Sequence, residues 1–309
     1  MENKVDDGYE SGSRRQNLDS TITATLPVDF NDRLALDPAA ARAFGEALSS
    51  KYSNGQPFPH VVIDNFLPEN LIEAISKSFP EQPLAHDKAF LDALAHFKKR
   101  QIFPGDCNSF AMSFFQFLNS SAILCFLEGL TGIDGLIADS HFDGGGFHEI
   151  SRGGKLGIHA DFRINRKLHL ERRLNLLLYL NKDWDEAYGG ALELWDKNMR
   201  SPVRSISPTY NRCVVFSTNI DSFHGHPNPL NTPDGVYRRS VATYYYTASR
   251  SIYGEVKDNS TKWMARPSDS KKFKAGTAKY RAKLVIQDLC PPLIFRALVR
   301  LKRRVRPVV

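Results

Sequence analysis

The apolar positions of the first 130 residues recur mainly at helical spacing, with one strand-like run among them. In the segment that begins Asp37-Pro-Ala-Ala-Ala-Arg, Asp37 is predicted to be the N-cap and Pro38 the first helical residue. The run His60-Val-Val-Ile-Asp-Asn-Phe-Leu is rich in β-branched and aromatic residues, which predicts a strand. The predicted helices cover about residues 37–48, 68–78, 86–99 and 108–130.

After about residue 136 the pattern changes to short runs of alternating or continuous apolar residues. The predicted strands are residues 147–151, 156–161, 173–181, 189–196, 203–207, 213–217 and 240–247. Many short strands separated by turn residues favour a sandwich or barrel over alternating β-α units. We therefore expect a mainly β fold with flanking helices, braced by helices from the N-terminal half.

The chain is predicted to have three segments. Residues 1–55 form an N-terminal extension that is partly flexible, up to about residue 30, and contains one helix. Residues 56–250 form the main domain. Residues 251–309 form a C-terminal helical basic tail, which is interrupted by Pro291-Pro292.

The net charge of +7 is concentrated in that tail. Six basic residues and no acidic residue lie between positions 291 and 309, which leaves only +1 for the remainder of the chain. We therefore expect no nucleic-acid-binding function. The tail itself has two interpretations. It could contact an anionic membrane surface as an amphipathic helix, or it could pack its apolar residues against the barrel, which we favour.

Cysteine usage and the N-terminal composition limit the class of protein further. The four cysteines contain no CxxC pair, which argues against a disulfide framework or a zinc–thiolate site and favours a reducing compartment. The first residues are polar and contain no apolar core of a secretory signal. The chain has no stretch of about 18 apolar residues. A cytoplasmic location is the expectation.

Three residues of metal-ligand type stand out within the predicted strands. His159 and Asp161 lie two apart on an extended segment, so both side chains point to the same face. His224 follows 63 residues after Asp161 and has to be brought in by the tertiary fold. Two histidines and one carboxylate can bind one face of an octahedral iron(II), leaving positions open for a co-substrate and O₂.

Two alternatives to this set stay open from the residues alone. A second His-x-Asp motif occurs at His141 and Asp143, but glycines follow it, which are unfavourable in a strand. His226 competes with His224, although Pro227 restricts the backbone of His226. We favour His159, Asp161 and His224 as the metal ligands.

A candidate anion-binding pair follows on the last predicted strand. Arg238 and Ser240 share one face of this strand, where a guanidinium can pair bidentately with a carboxylate and a hydroxyl can add a donor. Arg239 alternates to the other face and is expected to be solvated. The pair is suited to bind the far end of a buried dicarboxylate.

These residues resemble the iron(II)/2-oxoglutarate-dependent dioxygenases, and within them the prolyl 4-hydroxylase-like branch. The resemblance covers roughly residues 58–250 and includes the stretches Tyr179-Leu-Asn-Lys-Asp-Trp-Asp and Gly189-Gly-Ala-Leu-Glu-Leu-Trp. It implies a double-stranded β-helix (jelly-roll) core. It implies that iron is bound by His159, Asp161 and His224. The 2-oxoglutarate contacts that it implies are Arg238, Ser240 and Tyr179.

The resemblance also implies an activity. Iron(II), 2-oxoglutarate and O₂ are the expected metal, co-substrate and oxidant, with ascorbate as a candidate reductant. The expected reaction hydroxylates an unactivated C–H of a prolyl residue or proline-like substrate and releases succinate and CO₂. Two alternatives stay open: a tailoring hydroxylase of a small metabolite, sugar or lipid precursor, and a jelly-roll binding module without catalysis.

Overall fold

One large, curled β-sheet forms the centre of the computed structural model, which describes residues 21–31, 33–90, 96–165, 167–248 and 261–289. The strands are β1 (Thr21–Thr23), β2 (Asp29–Phe30), β3 (Leu34–Ala35), β4 (His60–Asp64), β5 (Lys88–Phe90), β6 (His96–Ile102), β7 (Ile137–Ala138), β8 (Gly146–Ala160), β9 (Ile164–Asn165), β10 (Leu170–Tyr179), β11 (Leu192–Trp195), β12 (Pro202–Ile206), β13 (Cys213–Ser217), β14 (Phe223–His226), β15 (Arg238–Ala248) and β16 (Lys262–Trp263). The α-helices are α1 (Pro38–Ser53), α2 (Glu69–Lys77), α3 (Ser109–Leu118), α4 (Ser121–Thr131) and α5 (Lys271–Leu289).

Apart from the parallel pair β1-β4, the main path of the sheet has the antiparallel, curled arrangement of a jelly roll. This path runs β1-β4-β13-β10-β15-β8-β14-β11-β12, and β6 and β16 add to β8. The long strand β8 joins the two halves of the path, because its first residues pair with β15 and its last residues pair with β14. Because β8 belongs to both halves, the sheet encloses a cavity instead of remaining open. The expected fold, mainly β with flanking helices around a jelly-roll core, is confirmed.

The helices α1 to α4 cover the outer face of the sheet and bury the main core. The region predicted as one helix, residues 108–130, consists of two helices, because Ser120 begins α4 by accepting a hydrogen bond from the backbone of Ile123. Phe115 of α3 contacts Phe147 of β8 edge-on, with ring centroids 5.0 Å apart. The predicted N-cap at Asp37 is also confirmed, since its side chain accepts a hydrogen bond from Ala40.

The helix predicted near residues 86–99 is wrong. The described part of this segment forms β5 and β6, which pair with each other, and β6 pairs with β8 from His96 to Ile102. The local sequence is compatible with a helix, but the free edge of β8 offers backbone hydrogen bonds that a sequence-based prediction cannot anticipate. A bulge between Phe97 and Lys99 adjusts the register.

The N-terminal segment differs from the expectation of flexibility up to about residue 30. Thr21–Thr23 pairs in parallel with β4, and Leu26 and Val28 are buried in the core. Helix α1 also packs on α4, so residues 21–53 are part of the folded unit. The boundaries of the three predicted segments stay predictions, and the basic tail at 291–309 lies outside the described residues.

Within the described ranges, no single helix has the length and apolar character needed to cross a bilayer. Helices α3 and α4 meet those criteria only when they are taken together, and the chain bends at the break between them.

The close contact of α1 with α4 generates a prediction about stability. A Cβ atom at Gly45 would lie 2.1 Å from the backbone oxygen of Phe126 and 2.7 Å from the backbone nitrogen of Leu130, so the helices would have to separate. We expect Gly45→Val to lower the free energy of unfolding by about 2 kcal/mol or more, as overpacking does. Ala47→Val, on the exposed side of α1, is the control. Equal urea midpoints for the two variants would contradict this account.

Candidate metal and co-substrate site

Two neighbouring strands bring the three predicted metal ligands together. His159 on β8 lies directly opposite His224 on β14, and Asp161 follows β8 immediately. One ligand atom from each of the three side chains lies within 4.8 Å of the others. Asp161 Oδ1 is 3.5 Å from His159 Nε2, and its Oδ2 is 3.6 Å from His224 Nε2. The three groups can therefore share one metal ion.

The tautomer of each imidazole is set by a backbone carbonyl. His159 Nδ1 is 2.9 Å from the carbonyl oxygen of Gly157, and His224 Nδ1 is 2.9 Å from that of Ser222. A carbonyl oxygen only accepts hydrogen bonds, so both Nδ1 atoms must carry the proton. The lone pair of each ring then lies on Nε2, which is the atom that faces Asp161. Both rings are oriented as metal ligands.

Asp161 is an ionised carboxylate although it is largely buried. Burial by itself raises the pKa of this group, but Arg172, His159 and His224 outweigh burial and lower the pKa well below its usual value. Arg172 lies 3.0 Å from Asp161 Oδ2, and the Asn175 side-chain amide donates a 2.8 Å hydrogen bond to the same oxygen. These two residues hold the carboxylate in one orientation.

Burial is the main reason that His224 is neutral. Burial, together with the neighbouring His159, lowers the pKa of His224 to about 4, although Asp161 opposes the shift. Phe216 packs edge-on against the His224 ring with centroids 4.7 Å apart, and Trp263 stacks on His159 at 4.8 Å. At neutral pH the His224 ring can therefore bind a metal without first losing a proton.

Arg238 is buried and fixed by two hydrogen bonds. Its Nε donates to the backbone oxygen of Gly190 at 2.7 Å, and its Nη2 donates to the Tyr179 hydroxyl at 3.3 Å. Gly190 has a φ of +72° and a Cβ there would lie 3.0 Å from Arg238 Cδ, so a larger residue would displace the guanidinium. Burial raises the pKa of Tyr179, which therefore keeps its hydroxyl proton as a donor.

The predicted site residues meet at one cavity of about 240 Å³. Its lining includes His159, Asp161, His224, Arg238 and Ser240. Tyr179 reaches this group through its hydrogen bond with Arg238. The donor set fits iron(II), and the buried guanidinium with its neighbouring hydroxyls fits a carboxylate.

The alternative residues lie elsewhere or outside the ligand cluster. His141 and Asp143 border a different surface hollow, beyond the turn at Asp139. His226 lines the same cavity as His224 but does not belong to the group of three converging ligand atoms. The structure thus brings together His159, Asp161 and His224.

Among the polar residues of the cavity that were not predicted, Arg172, Asn175 and Lys99 carry or contact charge. Arg172 faces the cavity because a bulge between Arg172 and Leu174 interrupts the alternation of β10, so Arg172 and Asn175 share one face. Lys99 faces it from β6, the strand that was predicted to be a helix. The only sequence feature that could have indicated Asn175 was its polar side chain within an apolar run. No sequence feature indicated that Arg172 faces the cavity.

The expectation that Arg239 is solvated was wrong. This residue is half-buried and forms an ion pair with Glu149 at 2.8 Å. Its guanidinium also lies 4.4 Å from the centroid of the Phe79 ring. Pairing with an acid on the neighbouring strand and packing on an aromatic ring compensate the loss of water.

Sequence comparison identifies a known family over the strands that carry the site. Residues 145–247 match the model of the 2OG-Fe(II) oxygenase superfamily. The chain is also similar to the prolyl 3-hydroxylase OGFOD1 of Mus musculus, with 32% identity over 82 residues. That match covers 25% of this chain and only 15% of the mouse protein.

Two solved structures are similar to this chain at low sequence identity. A prolyl hydroxylase from Trichoplax adhaerens, in complex with a hypoxia inducible factor peptide fragment, has a TM-score of 0.48 and 16% identity, covering 65% of this chain and 90% of that one. A prolyl-4-hydroxylase from Pseudomonas putida has a TM-score of 0.47 and 17% identity, covering 68% of this chain and 100% of that one.

The family model spans β8 to β15 and so includes both strands that bring the imidazoles together and the strand that carries Arg238. A family resemblance had been expected from the motifs, and the comparisons confirm it. Residues 145–247 are therefore similar to the 2OG-Fe(II) oxygenase superfamily, and the match covers the part of the chain that carries the candidate site.

Proposed function

We propose that this chain hydroxylates an unactivated C–H of a prolyl or proline-like substrate, with release of succinate and CO₂. The convergence of three ligand atoms within 4.8 Å carries the proposal. The proposed iron ligands are His159, Asp161 and His224. The proposed 2-oxoglutarate contacts are Arg238, Ser240 and Tyr179. Iron(II) and 2-oxoglutarate, when bound, would supply the activation of O₂ that hydroxylation requires.

The residues of the chain would contribute orientation and charge. Asp161 enters the site already ionised, and His224 enters it already neutral, so a divalent metal displaces no proton from either group at neutral pH. Arg172 and Asn175 occupy one oxygen of Asp161, which favours metal binding through the other. Phe216 and Trp263 exclude water from the two rings.

Arg238 would anchor the far carboxylate of 2-oxoglutarate. Two of its donor nitrogens are occupied by Gly190 and Tyr179, which fixes the guanidinium plane and leaves its remaining N–H groups for the ligand. Ser240 lies two residues along the same strand and lines the same cavity, so its hydroxyl would add a donor. The co-substrate would thus be fixed at one end by the protein and at the other by the metal.

The prolyl class is supported by the family and by the relatives described above. The similar mouse protein is named a prolyl 3-hydroxylase, and both similar structures are prolyl hydroxylases. The proposed target is a prolyl residue of a peptide or a small proline-like molecule, and ascorbate is a candidate reductant.

The metal assignment predicts a loss of iron binding in one His variant. In an anaerobic titration, iron(II) with 2-oxoglutarate should produce a weak visible charge-transfer band in the wild-type protein. His159→Ala should abolish this band, because an imidazole that bonds the metal is lost. His141→Ala, in the other His-x-Asp motif, should retain it. The assignment is wrong if His159→Ala retains the band or if both variants lose it.

The co-substrate assignment predicts a selective loss of affinity. Arg238→Met should raise the Kd for 2-oxoglutarate on the order of 10- to 100-fold, the effect of losing a charged hydrogen-bonding partner. Metal binding without 2-oxoglutarate should be unchanged. Arg239→Met is the matched control, since Arg239 lies on the opposite face of β15. Equal 2-oxoglutarate affinities for the two variants would exclude the anchoring role of Arg238.

The lowered pKa of His224 predicts how the stability of the metal-free protein depends on pH. The folded protein keeps His224 neutral down to about pH 4, whereas the unfolded chain binds a proton near pH 6.5. Stability should therefore fall as the pH is lowered from 6.5 to 4, by up to about 3 kcal/mol from this group. Urea unfolding of wild type and His224→Gln at several pH values measures the difference. If the difference in unfolding free energy between wild type and His224→Gln stays constant from pH 6.5 to pH 4, the lowered pKa of His224 is contradicted.

A further inference from the structure

Lys99 lies in the same transverse row of side chains as Arg238. Lys99 on β6 is paired with Phe90 of β5 on one side and with Ile150 of β8 on the other, and Ile150 is paired with Arg238 of β15. Residues directly opposite each other on paired strands point to the same face, and all four line the cavity. Two inter-strand spacings separate Lys99 from Arg238, which is about 10 Å at the backbone.

In the described cavity lining, Lys99 is the one cation without an assigned anion. Arg172 is paired with Asp161, and Arg238 is the proposed anchor of 2-oxoglutarate. Asp161 is the single acidic residue in the described cavity lining. Among the described residues, no carboxylate forms an ion pair with Lys99. Within the described part of the chain, the Lys99 ammonium thus faces the cavity without a carboxylate in ion-pair contact.

The charge of the loaded cavity stays positive. The two charges of iron(II) cancel those of 2-oxoglutarate, and Arg172 cancels Asp161. Arg238 and Lys99 then leave two positive charges in a confined space. Like charges in such a site repel strongly because little water screens them. An anion that enters with the substrate would remove this repulsion and would be selected over a neutral analogue.

The ionisation of Lys99 agrees with this need for an anion. Burial, together with Arg238 and Arg172, lowers the pKa of Lys99 to about 8, while Asp161 opposes this shift. A carboxylate bound beside the ammonium would favour its charged form. Lys99 also differs from its neighbour Lys98, which is exposed and donates to the backbone oxygen of Arg152.

We propose that Lys99 binds a carboxylate of the substrate, so that the substrate of this dioxygenase is acidic next to the carbon that is hydroxylated. The inference rests on the proposed function and adds the chemical class of the substrate. The carboxylate comes either from a free amino acid or from an acidic residue beside a prolyl residue in a peptide. Lys99 selects the substrate, and the metal ligands act independently of it.

The test compares matched acid and amide probes on anaerobic protein loaded with iron(II) and 2-oxoglutarate. One pair is L-proline and L-prolinamide. The other is a capped peptide with Asp-Pro and the same peptide with Asn-Pro. The probes are titrated by calorimetry and by their effect on the visible band. Wild type should bind the acid of at least one pair about tenfold tighter than the amide, as one charge-assisted hydrogen bond implies. The pair that shows this preference identifies the source of the carboxylate.

Variants separate the role of Lys99 from that of the co-substrate site. Lys99→Met should bind the acid and the amide with about equal affinity, while Lys99→Arg should still bind the acid more tightly. Lys98→Met, the adjacent exposed lysine, should leave the ratio of acid affinity to amide affinity unchanged. The Kd for 2-oxoglutarate should be the same in all of these proteins.

Several outcomes overturn the inference without affecting the proposed function. In the first, the wild-type protein forms the visible band but binds no probe, or binds the acid and the amide of each pair equally well. In the second, Lys99→Met keeps the wild-type ratio of acid affinity to amide affinity. An increase in the Kd for 2-oxoglutarate in Lys99→Met would assign Lys99 to the co-substrate and would also overturn it. A wild type that never forms the band would instead contradict the proposed function.

Discussion

The site depends on keeping one carboxylate ionised where little water reaches it. Removing a charged carboxylate from water costs several kcal/mol unless partners replace the water. Asp161 has such partners in Arg172 at 3.0 Å and Asn175 at 2.8 Å. Arg172 is in turn held by the face of Tyr244, with its guanidinium carbon 3.5 Å from the ring centroid. The charge of Asp161 therefore depends on β10 and β15 as well as on its own strand.

The register of β8 decides which residues meet around that carboxylate. His159 on this strand lies opposite His224, and Ile150 on the same strand lies between Arg238 and Lys99. Side chains alternate between the two faces of a strand, so a slip of one residue would turn each of these groups away from the cavity. Packing of Phe147 against Phe115 of α3 opposes such a slip. The helical layer thus helps to fix the chemistry of the opposite face.

The parts of the site that follow from local geometry could be predicted from the sequence. His159 and Asp161 are two residues apart on an extended segment, as are Arg238 and Ser240, so each pair had to share a face. Strands β8, β10, β11, β12, β13 and β15 could be predicted from their apolar residues, whereas β14, which carries His224, and β6 were not predicted as strands. His224 required more, since only its residue type and its place in the strand order suggested it.

The residues that were missed depend on irregular or long-range features. Arg172 faces the cavity because of a bulge, and a bulge leaves no clear mark in an apolar and polar pattern. Lys99 was hidden because its segment has helical composition and becomes a strand only by pairing with β8. Arg239 was expected to be solvated because its acidic partner, Glu149, lies 90 positions away in the sequence.

Arg238 and Lys99, the two cations of the described cavity lining that are not paired with Asp161, differ in how firmly they are held, and this difference suits different ligands. Arg238 is fixed by Gly190 and Tyr179 on a strand in the middle of the sheet, so its planar fork is already oriented for a ligand. Lys99 follows a bulge and carries a flexible four-carbon stem with a single charged end. A fixed fork favours one diacid held in one pose, as the proposed anchoring of 2-oxoglutarate requires. An ammonium on a flexible stem tolerates small differences in the position of a carboxylate, which suits the proposed contact with the substrate.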